Sequence, residues 1–355
     1  MSKKKVLVGL SGGVDSSVSA LLLKQQGYDV HALFMKNWDD DDGSPYCSVK
    51  EDFMDAVFIA DQLSIPIHQV SFSKEYKERV FSYFLSELEA GRTPNPDILC
   101  NKEIKFKEFY NYAINNQYDF IATGHYALTD NKSLFKGKDT SKDQSYFLHA
   151  IDKEVLEHTL FPLGNLEKKE VREIARQNNL ITSEKKDSTG ICFIGERPFP
   201  EFIGNYLEGE SGDIIDENNK KIGSHMGLVF YTLGQRQGLG IGGVKNAPDL
   251  PWYVAKKDLV DNTLTCVQGN DHPLLFSTEL TTKNIFLIEN SLSPSFEGTA
   301  KVRYRQKDQE CKIELIKNSL KLTFKDPQRS VTPGQSVVIY KGEKCLGGGE
   351  IASIN

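Results

Sequence analysis

The sequence predicts an α/β protein: a parallel sheet with helices on both faces, followed by a small central α+β domain and a C-terminal β-barrel. In the first half, apolar strand-like runs alternate with amphipathic helical segments, which is typical of a parallel sheet. Seven glycines lie within residues 223–243, and from about residue 278 short alternating segments predominate, as in a small barrel. We expect the domains to span residues 1–200, 201–277 and 278–355.

The first βα unit is marked by an apolar run that leads into two glycines. Lys5–Gly9 fits a buried strand, Ser11–Gly13 fits a tight turn, and the helical pattern from Ser16 stops at Gly27. Backbone N–H groups at such a turn point outwards, and the helix dipole favours an anion there. Because adjacent glycines let the backbone approach a ligand closely, we predict a phosphate site at residues 9–16.

The alternation continues through the next segments. The pattern predicts strands at Asp29–Lys36, Pro66–Phe72 and Tyr118–Gly124. It also predicts a helix that begins at the capping box Ser48-x-x-Glu51, and further helices at Lys74–Ala90, Lys102–Asn116 and Glu167–Leu180. In a parallel sheet, ligands bind beyond the carboxyl ends of the strands. Those ends carry polar or glycine residues at Leu10–Gly13, Met35–Asp42 and Gly124–His125, so we expect a ligand crevice there.

The last part of the chain reads as short strands. Alternating apolar and polar residues predict strands at Thr299–Arg305, Cys311–Ile316, Ser336–Tyr340 and Glu350–Ile354. Short strands joined by turns fit a small barrel.

Composition restricts the class of protein. With 39% hydrophobic and 26% charged residues, the chain resembles an ordinary globular protein. It has no apolar run long enough to span a membrane, and its first residues lack the apolar segment of a signal peptide, so we expect a cytoplasmic protein without a membrane partner. The net charge of −6 argues against non-specific nucleic-acid binding, although lysines cluster locally.

Six cysteines are scattered along the chain without a Cys-x-x-Cys pair, so neither a zinc ribbon nor a disulfide framework is expected. Cys100 follows two prolines, and a helix is predicted to begin near Lys102. This would place Cys100 at a helix N-terminus, where the dipole and nearby lysines favour a thiolate. Cys192 lies in a loop between two glycines. Chemistry alone leaves both open, because a lone cysteine is more often structural than catalytic.

The acidic run Asp39–Asp42 offers several carboxylates beyond the second strand. Such a cluster could hold a metal ion, but a solvated acidic loop is the more common structure. We therefore assign no residue as a metal ligand.

The pattern Ser-Gly-Gly-x-Asp-Ser at residues 11–16 resembles the PP-loop of ATP pyrophosphatases, whose fold is adenine nucleotide α-hydrolase-like. It has neither the Gly-Lys-Ser/Thr of a Walker A loop nor the spaced glycines of a dinucleotide fingerprint. Such loops bind the pyrophosphate of ATP and activate a substrate as an adenylate.

Further motifs resemble the tRNA-specific 2-thiouridylase family (MnmA or TrmU). They occur in the family's order and cover essentially the whole chain. They are the PP-loop at residues 9–16, MKNWDDDD at 35–42, TPNPDILCNK at 93–102, GHY at 124–126, KDQSYFL at 142–148, DSTGICFIG at 187–195, GQR at 234–236 and VRYR at 302–305.

This resemblance implies a tRNA-uridine 2-sulfurtransferase. In that family ATP adenylates the C2 oxygen of the wobble uridine of tRNA, pyrophosphate leaves, and a persulfide sulfur then displaces AMP to give 2-thiouridine. The resemblance thus implies ATP and Mg²⁺ as cofactors and tRNA as the substrate. It also implies a sulfur donor, either a cysteine desulfurase or a sulfur-relay protein.

The resemblance also implies the roles of individual residues. Cys100 would be the nucleophile and Cys192 the persulfide carrier, the two forming a disulfide during turnover, with Asp97 as acid or base. The ATP contacts would be Gly9, Leu10, Ser11, Gly12, Gly13, Val14, Asp15, Ser16, Met35 and Gly124. The target-base contacts would be Asn95, Pro96 and Asp97. The remaining tRNA contacts would be His125, Lys142, Asp143, Gln144, Arg303, Tyr304 and Gln335.

Other functions remain open at the level of the residues. A PP-loop ligase or amidotransferase acting on a small metabolite would need a small-substrate pocket but no pair of loop cysteines. A non-catalytic RNA-binding module would have no use for a pyrophosphate loop. An iron–sulfur variant, with Cys100, Cys192 and Asp97 as ligands, is weakened by the absence of a Cys-x-x-Cys pair.

Overall fold

A computed structural model describes residues 3–38, 49–187, 198–242, 250–289 and 291–355. Its first half contains a five-stranded sheet in the order β3-β2-β1-β4-β7, parallel throughout. The strands of this half are β1 (Lys5–Gly9), β2 (Asp29–Lys36), β3 (Ile67–Ser71), β4 (Phe120–Ala122), β5 (Ala127–Thr129), β6 (Leu134–Lys136) and β7 (Thr159–Leu160). The predicted parallel sheet is confirmed, and β1 and β2 have the predicted bounds.

Helices cover both faces of this sheet because its strands are apolar on both sides. Leu7 packs into one apolar cluster, whereas Val6 and Val8 pack into another, and all three are fully buried. The helical segments of the first half are Val14–Gln25, Val49–Gln62, Ser73–Tyr76, Lys77–Phe81, Ser82–Glu89, Pro96–Cys100, Asn101–Glu108, Phe109–Asn115, Ser145–Leu148, Lys153–Glu157 and Lys168–Gln177, followed by Phe199–Ile203.

One helix begins earlier than the sequence predicts. Pro96–Cys100, Asn101–Glu108 and Phe109–Asn115 follow one another without a break and are called the Pro96 helix below. We predicted its start near Lys102, with Cys100 at the N-terminus, and that prediction is wrong. Asn95 caps the helix and Pro96 occupies its first turn, where a missing N–H costs nothing. Cys100 is therefore the fifth helical residue.

The central part of the chain forms a four-stranded sheet in the order β10-β11-β8-β9. Its strands are β8 (Gly212–Ile215), β9 (Lys221–His225), β10 (Trp252–Asp258) and β11 (Thr263–Gln268). A separate apolar cluster that includes Ile214, Val254 and Leu264 lies against this sheet. It thus has a core of its own.

The C-terminal strands close into a six-stranded barrel, as predicted. The order is β12-β15-β14-β13-β16-β17, and β12 also pairs with β17. The strands are β12 (Phe276–Leu287), β13 (Ser295–Lys301), β14 (Gln309–Ile316), β15 (Ser319–Arg329), β16 (Ser336–Lys341) and β17 (Lys344–Ile354). Ile313, Leu322 and Val337 are fully buried within it.

A hairpin from the first half of the chain joins the barrel. Strands β5 and β6 pair with each other, and β6 pairs antiparallel with β17, so that Leu134 lies opposite Cys345. The hairpin follows Gly124, at the carboxyl end of β4. It therefore ties the barrel directly to the ligand-binding edge of the parallel sheet.

Cysteines and hydropathy add two observations. Cys100, Cys266, Cys311 and Cys345 are buried, whereas Cys192 lies outside the described residues. Within the described ranges, no helix is both long enough and apolar enough to cross a bilayer.

Candidate active site at the carboxyl edge of the parallel sheet

The predicted phosphate loop lies between β1 and the helix Val14–Gln25. Gly13 is the N-cap of this helix, and no side chain caps it. The first helical N–H groups therefore lack an intrahelical partner and can bind an anion. Ser16 tightens the turn, since its hydroxyl accepts from the Ser11 N–H at 3.2 Å and donates to the Gly13 carbonyl at 3.1 Å.

Two glycines allow this edge to pack closely. Gly12 has a φ of +75°, and a Cβ there would lie 2.2 Å from the carbonyl oxygen of Asp52. A Cβ on Gly124, beyond the end of β4, would lie 2.8 Å from the backbone nitrogen of Ser16. Any side chain at either position would push the loop away from its neighbours. The structure thus brings the ends of β1 and β4 together, as predicted.

The carboxylate of Asp15 has two well-defined partners. Lys168 donates to both of its oxygens at 2.8 Å, and the Tyr126 hydroxyl donates to it at 2.8 Å. Burial, followed by the charge of Asp15, raises the pKa of Tyr126, so this hydroxyl stays protonated and remains a donor. The Lys168 side chain is only 13% exposed. Positive charge is therefore fixed beside the phosphate loop.

Lys168 also reaches a second carboxylate, that of Asp187, at 2.8 Å. Lys142 and Arg172 donate to Asp187 as well, at 2.7 and 2.8 Å. Burial alone would raise the pKa of Asp187, but hydrogen bonds from Lys142 and Lys168 outweigh it and lower the pKa to about 2. Asp187 is thus ionised at neutral pH and lies among three cations.

Cys100 lies in the Pro96 helix and is fully buried, within the same apolar cluster as Leu7 and Phe109. Asp97 is half-buried one turn earlier, so both side chains lie on one face of the helix. The Asn95 side chain accepts from the Asp97 and Ile98 N–H groups, at 3.1 and 3.3 Å. Asn95 therefore caps the helix that carries Asp97 and Cys100.

The segment before this helix contacts the other two parts of the molecule. The Thr93 N–H donates to the Pro333 carbonyl at 2.9 Å, and the Gln335 side chain donates to the Thr93 carbonyl at 2.7 Å. The hydroxyl of Thr93 lies 3.2 Å from that of Thr232, next to the central sheet. Thr93 thus connects the segment before the Pro96 helix to the barrel and to the part of the chain that contains the central sheet.

The three residues at 142–144 that were predicted to contact tRNA differ from one another in their surroundings. Lys142 is half-buried against Asp187, and Gln144 accepts from the Tyr126 N–H at 2.9 Å. Asp143 is 5% exposed and accepts from the Gly137 and Ser145 N–H groups and from Lys301 of the barrel. The Asp143 side chain thus holds this segment against the barrel and faces the interior.

The barrel residues Arg303 and Tyr304 lie near this segment. The Tyr304 ring packs on Phe147 at 4.4 Å between centroids, and the Phe147 carbonyl accepts from Asn101 of the Pro96 helix at 3.4 Å. Arg303 is exposed and donates to the Ser330 carbonyl at 3.0 Å. The structure therefore brings residues 142–147, 303–304 and the Pro96 helix together.

His125 is 9% exposed and shares a hydrogen bond of 2.8 Å with Thr123. Burial, reinforced by the charge of Lys105, places its pKa well below the usual histidine value. The side chain is therefore neutral at neutral pH. It lies among Phe106 and Phe161 rather than at the surface.

Sequence reasoning missed Lys168, Tyr126 and Asp187 as site residues. Tyr126 and Asp187 stand inside quoted motifs, whereas Lys168 belongs to none of them. The signal that could have singled them out is their position after strands β4 and β7, at the ligand-binding edge.

No group of three or more His, Cys, Asp or Glu side chains that could hold a metal ion occurs among the described residues. The acidic run Asp39–Asp42, like Cys192, lies outside them. Asp15, the carboxylate in the phosphate loop itself, is already paired with Lys168. The described side chains therefore do not form a preassembled magnesium site.

Comparisons with known proteins cover nearly all of this chain. Family models match residues 4–196 (tRNA methyl transferase HUP domain), 200–268 (tRNA methyl transferase PRC-barrel domain) and 277–351 (Aminomethyltransferase beta-barrel domain). Curated proteins named tRNA-specific 2-thiouridylase MnmA, from Francisella tularensis subsp. holarctica and subsp. novicida, are each 56% identical, and each alignment covers 99% of this chain and 100% of the relative.

One solved structure is a more distant match. The NMN synthetase of Francisella tularensis is 19% identical, with a TM-score of 0.36, and the match covers 57% of this chain and 73% of that one. With full-length identity of 56% to the curated relatives and a family model over more than half of its residues, the chain belongs to the tRNA-specific 2-thiouridylase family.

Proposed function

We propose that this chain carries out the reaction of its family, ATP-dependent 2-thiolation of the wobble uridine of tRNA. The observation that carries the proposal is the full-length relationship to tRNA-specific 2-thiouridylases. The arrangement of the site is consistent with it, since Phe109 of the Pro96 helix lies beside Gly9, where β1 leads into the phosphate loop. A thiolation at C2 needs both parts, because the carbonyl oxygen of uracil is a poor leaving group until it is adenylated.

The phosphate loop would hold the pyrophosphate portion of ATP. We assign this role to residues 9–16, with Met35 and Gly124 beside them. The uncapped N-terminus of the helix Val14–Gln25 supports the assignment, because its free N–H groups and dipole favour an anion. We add Lys168 to this set, since its ammonium lies within 2.8 Å of Asp15 and can neutralise charge that develops on the leaving pyrophosphate.

Magnesium would enter with the nucleotide. Mg²⁺ usually takes one or two protein carboxylates and completes its shell with phosphate oxygens and water. The described residues offer no preformed cluster, so we derive no step through the ion.

The sulfur step would use Cys100, Cys192 and Asp97. The terminal sulfur of a Cys192 persulfide bonds to C2 of uracil as the C2–O bond to AMP breaks. The Cys100 thiolate then attacks the Cys192 sulfur and breaks the persulfide S–S bond. This releases 2-thiouridine and forms a Cys100–Cys192 disulfide. An external thiol supplies two electrons to restore both cysteines. Asp97, on the same helical face as Cys100, would move the proton at the base or at the thiol.

The tRNA would lie across the junction of the three parts of the molecule. Asn95, Pro96 and Asp97 would contact the target base, flipped out of the anticodon loop. Arg303, Tyr304, Lys142 and Gln144 would flank it, and His125, which is buried beside Phe106, would support this surface from within. Asp143 is buried and would act by holding its neighbours in place, and Gln335 would join the barrel to Thr93 beside the base.

Three further assignments complete the proposal. The persulfide would come from a cysteine desulfurase or a sulfur-relay protein, because the chain needs sulfane sulfur that it does not itself generate. We place the reaction in the cytoplasm, where tRNA and ATP are available. We divide the chain into domains at 1–200, 201–277 and 278–355, since each sheet falls within one of these ranges except for the hairpin β5–β6 and the first two residues of β12.

A reconstituted assay tests the whole proposal. The protein, ATP, Mg²⁺, an unmodified tRNA transcript with a wobble uridine, and a persulfide-loaded donor are incubated together. The RNA is then digested and its nucleosides are weighed by mass spectrometry. We expect 2-thiouridine at the wobble position only when ATP is present. Its absence with an active donor, or its formation without ATP, would contradict the proposal.

A further inference from the structure

One carboxylate joins the phosphate loop to the proposed tRNA surface. Asp187 lies 2.8 Å from Lys168 and 2.7 Å from Lys142, through different carboxylate oxygens. The side chains of Lys168, Lys142 and Asp187 are 13%, 29% and 33% exposed. Charges in such a partly buried position are screened by salt much less than charges on an open surface.

The two lysines belong to different ligand sites. Lys168 donates to both oxygens of Asp15 in the phosphate loop. Lys142 is one of the residues that we assign to tRNA, and the inference rests on that part of the proposed function. Asp187 is thus the only carboxylate among the described residues that pairs with a cation from each of the two sites.

Asp187 is held in place independently of either lysine. Arg172 donates to it at 2.8 Å and also to the Ser183 and Lys185 carbonyls, at 2.8 and 3.1 Å. The ammonium of Lys185 pairs in turn with Asp52 on the helix Val49–Gln62, at 2.8 Å. The carboxylate is therefore a fixed point, and a ligand that attracts one of the lysines does not carry Asp187 with it.

When one carboxylate pairs with several cations, a ligand phosphate must compete with that carboxylate for each of them. When phosphates of ATP attract Lys168 away from Asp187, the carboxylate holds Lys142 more strongly, so an RNA phosphate must compete harder for it. An RNA phosphate at Lys142 has the converse effect on Lys168. We propose that Asp187 couples the ATP and tRNA sites, so that each ligand weakens binding of the other.

The coupling must be reciprocal, since it is a free energy shared by two sites. We expect a factor of about five or more, at the lower end of typical coupling energies. Direct repulsion between the two anionic ligands acts in the same direction but does not require Asp187. The coupling is therefore identified by its loss when Asp187 is neutralised.

The test is calorimetric titration of the whole protein with α,β-methylene-ATP, which cannot release pyrophosphate. The titration is done alone and with saturating tRNA transcript, and the tRNA titration is repeated with and without the analogue. In the wild type, both ratios of dissociation constants should be about five or more, and they should agree. In Asp187→Asn the ratios should fall towards one, leaving only the direct repulsion between the two ligands.

Two further variants test whether the coupling depends on Asp187 and Lys142. Glu184→Gln removes an exposed carboxylate that pairs with Arg176 of the helix Lys168–Gln177, and it should keep the wild-type ratio. Lys142→Met should lose the coupling and should bind the analogue alone with the weaker affinity that the wild type shows in the presence of tRNA, which tests the inference even if Asp187→Asn fails to fold. A wild-type ratio of one would overturn the coupling, as would an unchanged ratio in Lys142→Met or in a folded Asp187→Asn.

The single-ligand titrations separate the inference from the function on which it rests. A wild-type protein that binds neither the analogue nor tRNA would contradict the proposed function, and the coupling with it. A protein that binds both ligands without any coupling would contradict this inference alone.

Discussion

The side-chain amide of Gln335 donates a hydrogen bond of 2.7 Å to the carbonyl oxygen of Thr93. Gln335 belongs to the barrel, and Thr93 stands two residues before the cap of the Pro96 helix. The contact therefore fixes the distance between a proposed tRNA-binding surface and the helix that carries Cys100. A substitution of Gln335 by methionine removes this hydrogen bond and nearly preserves the size of the side chain.

Gln335→Met should lower kcat for thiolation about fivefold, because the loss of one neutral hydrogen bond loosens the catalytic segment by about 1 kcal/mol. The dissociation constant for tRNA should change less than threefold. Steady-state kinetics and a filter-binding titration measure the two values. Gln177→Met, on an exposed part of the helix Lys168–Gln177, is the control. Weaker tRNA binding with unchanged kcat would mean that Gln335 contacts RNA only.

Lys168→Met should lower kcat/KM for tRNA-dependent pyrophosphate release about 100-fold, since it removes the cation beside Asp15. Asp15→Ala should block the same step. The control is the next residue: Lys169 is 80% exposed, and Lys169→Met should stay within about twofold of the wild type. A pyrophosphate assay with tRNA present measures all three. Equal losses in Lys168→Met and Lys169→Met would remove Lys168 from the site.

Cys100→Ser and Cys192→Ser should each abolish 2-thiouridine formation, because a hydroxyl neither carries sulfane sulfur nor forms a disulfide. Affinity for α,β-methylene-ATP should remain within about twofold. Cys266→Ser is a matched control, since Cys266 is buried like Cys100 but lies in the central sheet. Near-normal thiolation by either of the first two variants would refute the two-cysteine mechanism.

Gly12→Ala should lower the free energy of unfolding of the N-terminal half by about 2–4 kcal/mol. Gly12 has a φ of +75°, and the new Cβ would lie 2.2 Å from the Asp52 carbonyl oxygen. Gly13→Ala is the matched control. Its φ is −98°, and a Cβ there meets only the Ser11 hydroxyl, at 3.5 Å. Thermal unfolding of both variants measures the difference. Equal melting temperatures would show that the loop can shift to accommodate a side chain.

The lowered pKa of Asp187 predicts a pH-dependent contribution to stability. Its pKa is about 2 in the folded protein against an ordinary value of 3.8. The ionised form is therefore stabilised by folding, so the contribution is complete above pH 4 and is lost as pH falls towards 2. Because the side chain is partly exposed, we expect about 1 kcal/mol. The difference in melting temperature between the wild type and Asp187→Asn should shrink between pH 6 and pH 3. A constant difference would contradict it.

Local signals explain which elements could be predicted. Strand β1 was predicted with its exact bounds because five mostly apolar residues lead directly into glycines. The start of the Pro96 helix was missed because two prolines indicated an extended loop. The same residues, Asn95 and Pro96, are also a strong helix-start signal, and in the structure the cap outweighs the preference for extended backbone.

Contacts distant in sequence could not be predicted in the same way. Lys168 and Asp15 are far apart along the chain and meet only because β7 and β1 belong to one sheet. The burial of Asp143 depends on Lys301 of the barrel, so the motif at 142–144 does not reveal which of its side chains faces inwards. Motifs indicated the chemistry, whereas the charge network emerged only from the tertiary fold.

The pairing of the hairpin β5–β6 with the barrel also affects synthesis of the protein. Strand β6 is made about 200 residues before its partner β17, which at ribosomal speeds is roughly 10–40 s. During that interval the hairpin presents an open edge that other nascent chains could pair with. A truncated chain that ends before β17 would keep this edge open permanently. Premature termination should therefore give an aggregating fragment rather than an independent ATP-binding domain.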